Sequence, residues 1–290
     1  MALKIAAIQM RGVITLNDTL RRMEQLVQSA AEQEVQIACF PELALSGYFP
    51  RSKPDTGYRK YFLEDNDEFL QSISAMALSY KMALIIPYAE REESNYYNTA
   101  LVVDKDGKMI GKYRKMHLPL DQPDVMGRVR NYERRYFSLG NLGFPVFETE
   151  GLKFGIQICF DRHFPEGFRC LALAGAQVVF LPTNSPSYGR RDRLQQWRQL
   201  LAVRAYENGI YLIAAAKAGV EENISYLGGS AVISPRGEIL AEAQGEDDEL
   251  VVASIDLTKL DEARTDLPYH LARRPGMYNI LLERTLKKRV

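Results

Sequence analysis

Apolar positions along the chain change period repeatedly, and each change outlines an element. Lys4–Gln9 is a short apolar run and reads as a strand. From Asn17 to Gln33, Leu20, Met23, Leu26, Val27, Ala30 and Ala31 recur at three- and four-residue spacing, which predicts an amphipathic helix. Gln36–Phe40 is the next strand, stopped by Pro41; a helix around Asp67–Ser79 and a strand through Ala83–Pro87 follow. Thr99–Val103 and Lys108–Tyr113 flank Asp106-Gly107, a hairpin turn signal.

The second half repeats the order. Lys153–Ile158 reads as a strand, Pro165–Ala174 as a helix, Gln177–Leu181 as a strand, Arg193–Glu207 as a helix and Tyr211–Ala215 as a strand. A second hairpin turns at Pro235-Arg236-Gly237. The segments 101–110 and 231–240 are both strand, tight turn, strand, at matching places in the two halves. This predicts an α/β protein of two similar halves, their sheets face to face and helices outside, in one domain spanning residues 1–290. The stretch from Leu118 to Gly143 is poor in strand or helix signals, and structureless stretches of that length in a compact domain are usually functional.

Composition narrows the partners. The 290 residues carry 37 basic and 37 acidic side chains, a balance that removes the electrostatic case for nucleic acid or an anionic membrane. No apolar run reaches the ~18 residues that span a bilayer. Met1 to Gln9 shows no signal-peptide pattern, so a cytoplasmic location is expected. Cys39, Cys159 and Cys170 are odd in number without CxxC spacing, and His117, His163 and His270 are far apart, so free thiols are expected and no metal or other cofactor. Cys39 and Cys170 read as buried small hydrophobes.

Three reactive residues stand just past predicted strand ends, where α/β proteins place ligands: Glu42 in Pro41-Glu42-Leu43, Lys115 in Tyr113-Arg114-Lys115-Met116-His117-Leu118, and Cys159 in Ile158-Cys159-Phe160-Asp161. A thiol attacks as thiolate, a carboxylate can take its proton, and an ammonium can stabilise the oxyanion that forms. Each also has an ordinary reading: a buried hydrophobe for Cys159, a helix cap for Glu42, a solvated strand end for Lys115. Spacing does not show that the three meet.

Together the three segments resemble the nitrilase, or carbon–nitrogen hydrolase, superfamily, whose catalytic residues are a Glu in a PEL segment, a Lys in a YRK-x-HL segment and a Cys in a strand-end elbow. The resemblance runs over essentially the whole chain and implies a four-layer αββα sandwich with Glu42, Lys115 and Cys159 as the catalytic triad. Within the superfamily, Cys159-Phe160-Asp161-Arg162-His163-Phe164-Pro165-Glu166 is similar to the carbamoylases rather than to true nitrilases, which usually have Trp-Glu after the nucleophile. Phe49-Pro50-Arg51, Arg135-Tyr136-Phe137 and Lys217-Ala218-Gly219-Val220-Glu221-Glu222 match N-carbamoyl-D-amino-acid hydrolases as well. The resemblance implies that Glu133 is a second active-site glutamate, that Phe160, Tyr48 and Asn184 join Arg162 in binding substrate, and that the protein forms homodimers or higher homo-oligomers. Pro165–Ala174, Arg193–Glu207 and the segment from Leu267 onward are the candidate interfaces.

Arg162 has a rationale of its own. A carbamoyl amino acid carries a carboxylate near the scissile carbon, which a guanidinium can bind bidentately; the competing reading pairs Arg162 with Asp161 or Glu166. The expectation is an amidohydrolase converting N-carbamoyl amino acids to amino acid, CO2 and ammonia, with an aliphatic or ω-amidase as the alternative. N-Carbamoylputrescine fits less well, because an inward Arg162 repels a cation. The chain departs from the D-carbamoylase pattern: His163 stands where a second arginine is usual, Asn131 where a histidine is expected, and Pro119-Leu120-Asp121-Gln122 lacks the usual Gly-His. An Arg-His pair is closer to the β-ureidopropionase branch, which leaves acid length and chirality open.

Overall fold

The computed structural model describes residues 2–12, 15–55, 57–121, 131–188 and 192–283. The first half runs β1 (Ala2–Arg11), α1 (Leu16–Glu32), β2 (Ile37–Cys39), β3 (Phe62–Leu63), α2 (Glu68–Tyr80), β4 (Ala83–Glu92), β5 (Asn95–Val103), β6 (Met109–Arg114) and α3 (Glu133–Tyr136). The second runs β7 (Phe147–Thr149), β8 (Leu152–Ile156), α4 (Pro165–Leu173), β9 (Val178–Thr183), α5 (Asp192–Asn208) and β10 (Tyr211–Ala218). It continues through β11 (Val220–Glu221), β12 (Ile224–Ser225), β13 (Ala231–Ile233), β14 (Ile239–Glu242), β15 (Glu249–Asp256) and α6 (Leu257–Asp266).

Period-two alternation assigns each side chain to a layer. In β1, Ile5 and Ala7 point into a central core that also holds Ile85 and Val102 from the first half and Phe154, Ile156, Phe180 and Ile213 from the second. Ala6, Ile8 and Met10 point the other way, onto Met23 and Val27 of α1 and Leu70 and Ile73 of α2. The second sheet does the same, with Val179, Leu181, Leu212 and Ala214 facing Phe168 and Leu171 of α4 and Trp197 and Leu201 of α5. Fully burying each large aliphatic of these cores contributes roughly 1.5–3 kcal/mol. The result is helices, sheet, sheet, helices, the four layers expected.

Each half places three parallel strands beside an antiparallel pair. In the first, β1, β2 and β4 are parallel and β5 and β6 follow antiparallel; in the second, β8, β9 and β10 are parallel and β13 and β14 follow. The two sheets meet at one end, where Met10 and Arg11 pair with Lys217 and Ala218. The sequence reading missed β15, which lies antiparallel along β1 from Gln9 back to Ala2, and missed α6, of which only Leu260 and Ala263 are buried. It placed Cys170 in the interior; the thiol is exposed instead, because it falls on the outer side of α4, while Cys39 is buried and all three cysteines are free. No helix among the described residues is long and apolar enough to cross a membrane.

Candidate active site

The reactive residues stand just past the ends of other strands of the two sheets. Glu42 lies just past β2, Asn184 directly after β9, Lys115 directly after β6 and Cys159 just past β8. Cys159 is held at φ +47°, a conformation unusual for a residue with a side chain, and strain of that kind concentrates at functional sites. The elbow is braced by Asp161, fully buried, whose carboxylate accepts from the Ile158 N–H at 2.9 Å and the Tyr113 hydroxyl at 2.8 Å. The same carboxylate accepts from the His117 N–H at 2.9 Å, so it ties the cysteine elbow to the segment just past Lys115. The His117 ring stacks on Phe164 with centroids 3.8 Å apart.

Lys115 is buried between two glutamates. Its ammonium donates to Glu42 Oε1 at 2.6 Å and to Glu133 Oε2 at 2.7 Å. Glu42 is held from three further sides: the Asn98 amide donates to Oε1 at 2.8 Å, the Asn184 N–H to Oε2 at 2.9 Å, and the Asn184 side chain to the Glu42 carbonyl at 2.7 Å. The Tyr48 hydroxyl donates to Glu133 Oε1 at 2.5 Å. Asn184 also links Glu42 to Cys159, because its carbonyl accepts from the Cys159 thiol at 3.4 Å. The solvated-strand-end reading of Lys115 therefore fails, and Glu42, Lys115 and Glu133 form one hydrogen-bonded cluster beside Cys159.

Charge and burial set the protonation states. Burial, reinforced by the charge of Glu42, pushes the Cys159 thiol up to about 12, against the opposing pull of Lys115 and Arg162. Burial disfavours the Lys115 ammonium, yet Glu133 and Glu42 outweigh it and hold that group well above the usual lysine range. Burial likewise raises the Glu133 carboxyl, and Lys115 pulls it back. A thiol held in this way keeps its proton at neutral pH, and an attack by it on a carbonyl would need a base to receive that proton.

A cavity of about 170 Å³ opens over the cysteine, lined by Tyr48, Glu133, Cys159, Phe160, Arg162 and Asn184 among others. All four residues expected to touch substrate are on its wall. Two of them are already engaged with the glutamates: Tyr48 with Glu133 and Asn184 with Glu42. Arg162 takes neither of the carboxylate partners considered for it. Its guanidinium donates to the Cys159 carbonyl at 2.7 Å, the Cys159 sulfur at 3.4 Å and the Ser185 hydroxyl at 3.1 Å. Sequence reasoning missed Asn98, Asp161, Tyr113 and the buried pair Lys217–Glu221. Asp161 and His117 carried a signal, being polar residues inside the two reactive segments; Asn98 carried none.

The carbon–nitrogen hydrolase family model matches residues 4–265. An N-carbamoylputrescine amidase of Solanum lycopersicum is 31% identical over 96% of this chain and 94% of its own length. A citrullinase of Francisella tularensis is 28% identical over 97% and 99%, and an omega-amidase of Xenopus laevis 32% identical over 91% and 92%. Among solved structures, a carbon–nitrogen hydrolase from Helicobacter pylori superposes with a TM-score of 0.90 at 28% identity, covering 99% of this chain and all of that one. A Glu-to-Gln variant of an amidase from Nesterenkonia sp., with the acetamide moiety of fluoroacetamide on its active-site cysteine, superposes with a TM-score of 0.79 at 25% identity over 96% and 95%. This chain belongs to the carbon–nitrogen hydrolase family, the nitrilase superfamily, and is a hydrolase of carbon–nitrogen bonds.

Proposed function

We propose that the protein hydrolyses N-carbamoyl amino acids to the amino acid, CO2 and ammonia, with Cys159 as nucleophile, Glu42 as general base and acid, and Lys115 as oxyanion partner. The observation that carries this reading is the arginine on the cavity wall: Arg162 has no carboxylate partner among the described residues and stands beside the thiol. The one carboxylate among the described lining residues, Glu133, is engaged by Lys115 and Tyr48, so a substrate's carboxylate is matched there and an ammonium is not.

Glu42 takes the Cys159 proton as the sulfur attacks the ureido carbonyl, giving a tetrahedral adduct. Its oxyanion accepts from Lys115 and the Phe160 N–H; one such donor is worth about 2.7–4 kcal/mol of barrier. Glu42 then protonates departing ammonia, leaving an N-substituted carbamoyl thioester. Glu42 next deprotonates water, which attacks the thioester, with Glu133 keeping Lys115 in place. The C–S bond then breaks, Glu42 returns the proton to the departing Cys159 sulfur, and the released carbamic acid decomposes to amine and CO2. The Nesterenkonia amidase, with its cysteine-bound acetamide moiety, supports cysteine attack as the first step.

A second reading is hydrolysis of a simple or ω-amide by the same residues, favoured by the omega-amidase relative. Ammonia and CO2 are measured on N-carbamoyl-D- and L-amino acids, N-carbamoyl-β-alanine, N-carbamoylputrescine and matched amides. Both gases from a carbamoyl acid support the proposal. Ammonia from amides alone selects the second reading, and preference for N-carbamoylputrescine overturns the role given to Arg162. We further propose that α4, α5 and the segment from Leu267 pair with a second copy, since Leu173, Val203, Tyr206 and Leu271 are exposed there; the solution mass tests this.

A further inference from the structure

Behind the cavity lies a second buried charge cluster to which the mechanism gives no part. Glu221, in β11, accepts from the Lys217 ammonium at 2.7 Å through Oε2 and from Arg51 at 3.2 Å through Oε1. All three residues are largely or wholly buried, and Arg51 also pairs with Glu222 at the surface. Burying two cations and a carboxylate is expensive, and replacing such groups by apolar ones is often neutral or stabilising. Stability alone therefore does not account for the cluster.

Its further contact is with the site. Glu221 Oε1 accepts the backbone N–H of Tyr48 at 2.8 Å, and Arg51, bonded to the same oxygen, lies three residues further along the same turn. The carboxylate thus clamps both ends of residues 48–51, and it does so from the other half of the molecule. Room for it is made by Gly12, where a Cβ would lie 2.7 Å from that of Glu221. Tyr48 in turn reaches Glu133 through its hydroxyl, and Glu133 holds Lys115.

We propose that Glu221 is a positioning residue: by fixing the Tyr48 main chain it places the Tyr48 hydroxyl on Glu133 and so holds the Lys115 ammonium against the reacting carbonyl. The inference rests on the roles proposed for Lys115, Glu133 and Cys159. Without the acceptor the buried Tyr48 N–H is left unsatisfied, a cost of about 1–3 kcal/mol that the segment relieves by moving.

The test compares Lys217→Met/Glu221→Gln, which keeps an acceptor for the Tyr48 N–H, with Lys217→Met/Glu221→Leu, which does not. Neither leaves Lys217 buried without a partner. Two rates are read: turnover on the best substrate, and alkylation of Cys159 by iodoacetamide, which needs no knowledge of the substrate. The Leu variant should be about 10- to 100-fold slower than the Gln variant in kcat, with KM within roughly threefold, the size of loss expected from a displacement of about 1 Å. Cys159 alkylation should fall in parallel. Adding Tyr48→Phe should slow the Gln variant about tenfold or more and the Leu variant less than about threefold, because the hydroxyl is already displaced in the latter. Equal rates in the two variants, or a Tyr48→Phe effect of the same size in both, overturn the proposal. If Cys159→Ala releases ammonia from that substrate at a rate near wild type, it is the catalytic reading that fails.

Discussion

The two halves share a scaffold and divide a chemistry. At the hairpin of the first, the Asp104 N–H donates to the Lys108 carbonyl at 2.9 Å and Gly107 closes the turn on Asp104 at 3.0 Å; in the second, Ser234 and Glu238 make the first bond at 2.8 Å and Gly237 and Ser234 the other at 2.9 Å. Even the register shift in the strand leading into the turn recurs, between Val102 and Val103 and between Val232 and Ile233. The ends of the parallel strands differ. After β2 the chain carries Glu42 and after the corresponding β9 it carries Asn184, and these two bind each other across the sheets. After β8 stands Cys159, and after the corresponding β1 stands Gly12, which makes room for Glu221. Alternation inside a strand builds the layers, whereas a strand end leaves residue type free for chemistry. Neither half alone contains the site.

That contrast is broken most severely at the strand ends themselves. Cys159→Ala should reduce ammonia release by about 10⁴-fold or more, since without the thiol no acyl-enzyme forms. Its cooperative thermal transition should be retained, because both sheets remain. Glu42→Gln should cost about 10²- to 10⁴-fold in kcat, the range for loss of a general base. Arg162→Met sharpens the comparison between substrates. The ratio of kcat/KM for a carbamoyl acid over that for a neutral amide should fall roughly 10- to 100-fold, as expected for one lost charged hydrogen bond. An unchanged ratio would make Arg162 a support for the Cys159 carbonyl only.

The smallest effect is on stability. The folded protein keeps the Cys159 proton up to about 12, whereas an exposed thiol releases it near 9.0. Between those values the unfolded chain binds fewer protons than the folded one, so this thiol's contribution is present below pH 9 and declines as pH rises toward 12. The wild-type urea midpoint should accordingly fall more steeply over that window than that of Cys159→Ala.

Much of this was legible in the chain. The parallel strands at the centre of both sheets follow from apolar runs, and the internal match of residues 101–110 with 231–240 announced the two halves. What escaped had weak periodicity: β15 carries Glu249, Ser254 and Asp256 among its apolar residues, and α6 rests only Leu260 and Ala263 on the core. In the site, residue type at strand ends pointed to Glu42, Lys115 and Cys159, but their proximity is a property of the sheet packing. Tyr48 and Asn184 were expected at the substrate, and both are on the cavity wall while bonded to the two glutamates. Asn98 lies within β5 and looks like any other strand residue; only the fold turns its amide onto Glu42. The stretch from Leu118 to Gly143 held Glu133 on the single turn α3, and residues 122–130 of it lie outside the described residues.

The most direct test of Cys159 as nucleophile is to quench turnover of a carbamoyl acid with acid and map the peptides by mass spectrometry. The predicted result is a carbamoyl adduct on the Cys159 peptide, absent from the Cys39 and Cys170 peptides and from the Cys159→Ala protein. Ammonia release by Cys159→Ala at a rate near wild type, or an adduct on another cysteine, would contradict it.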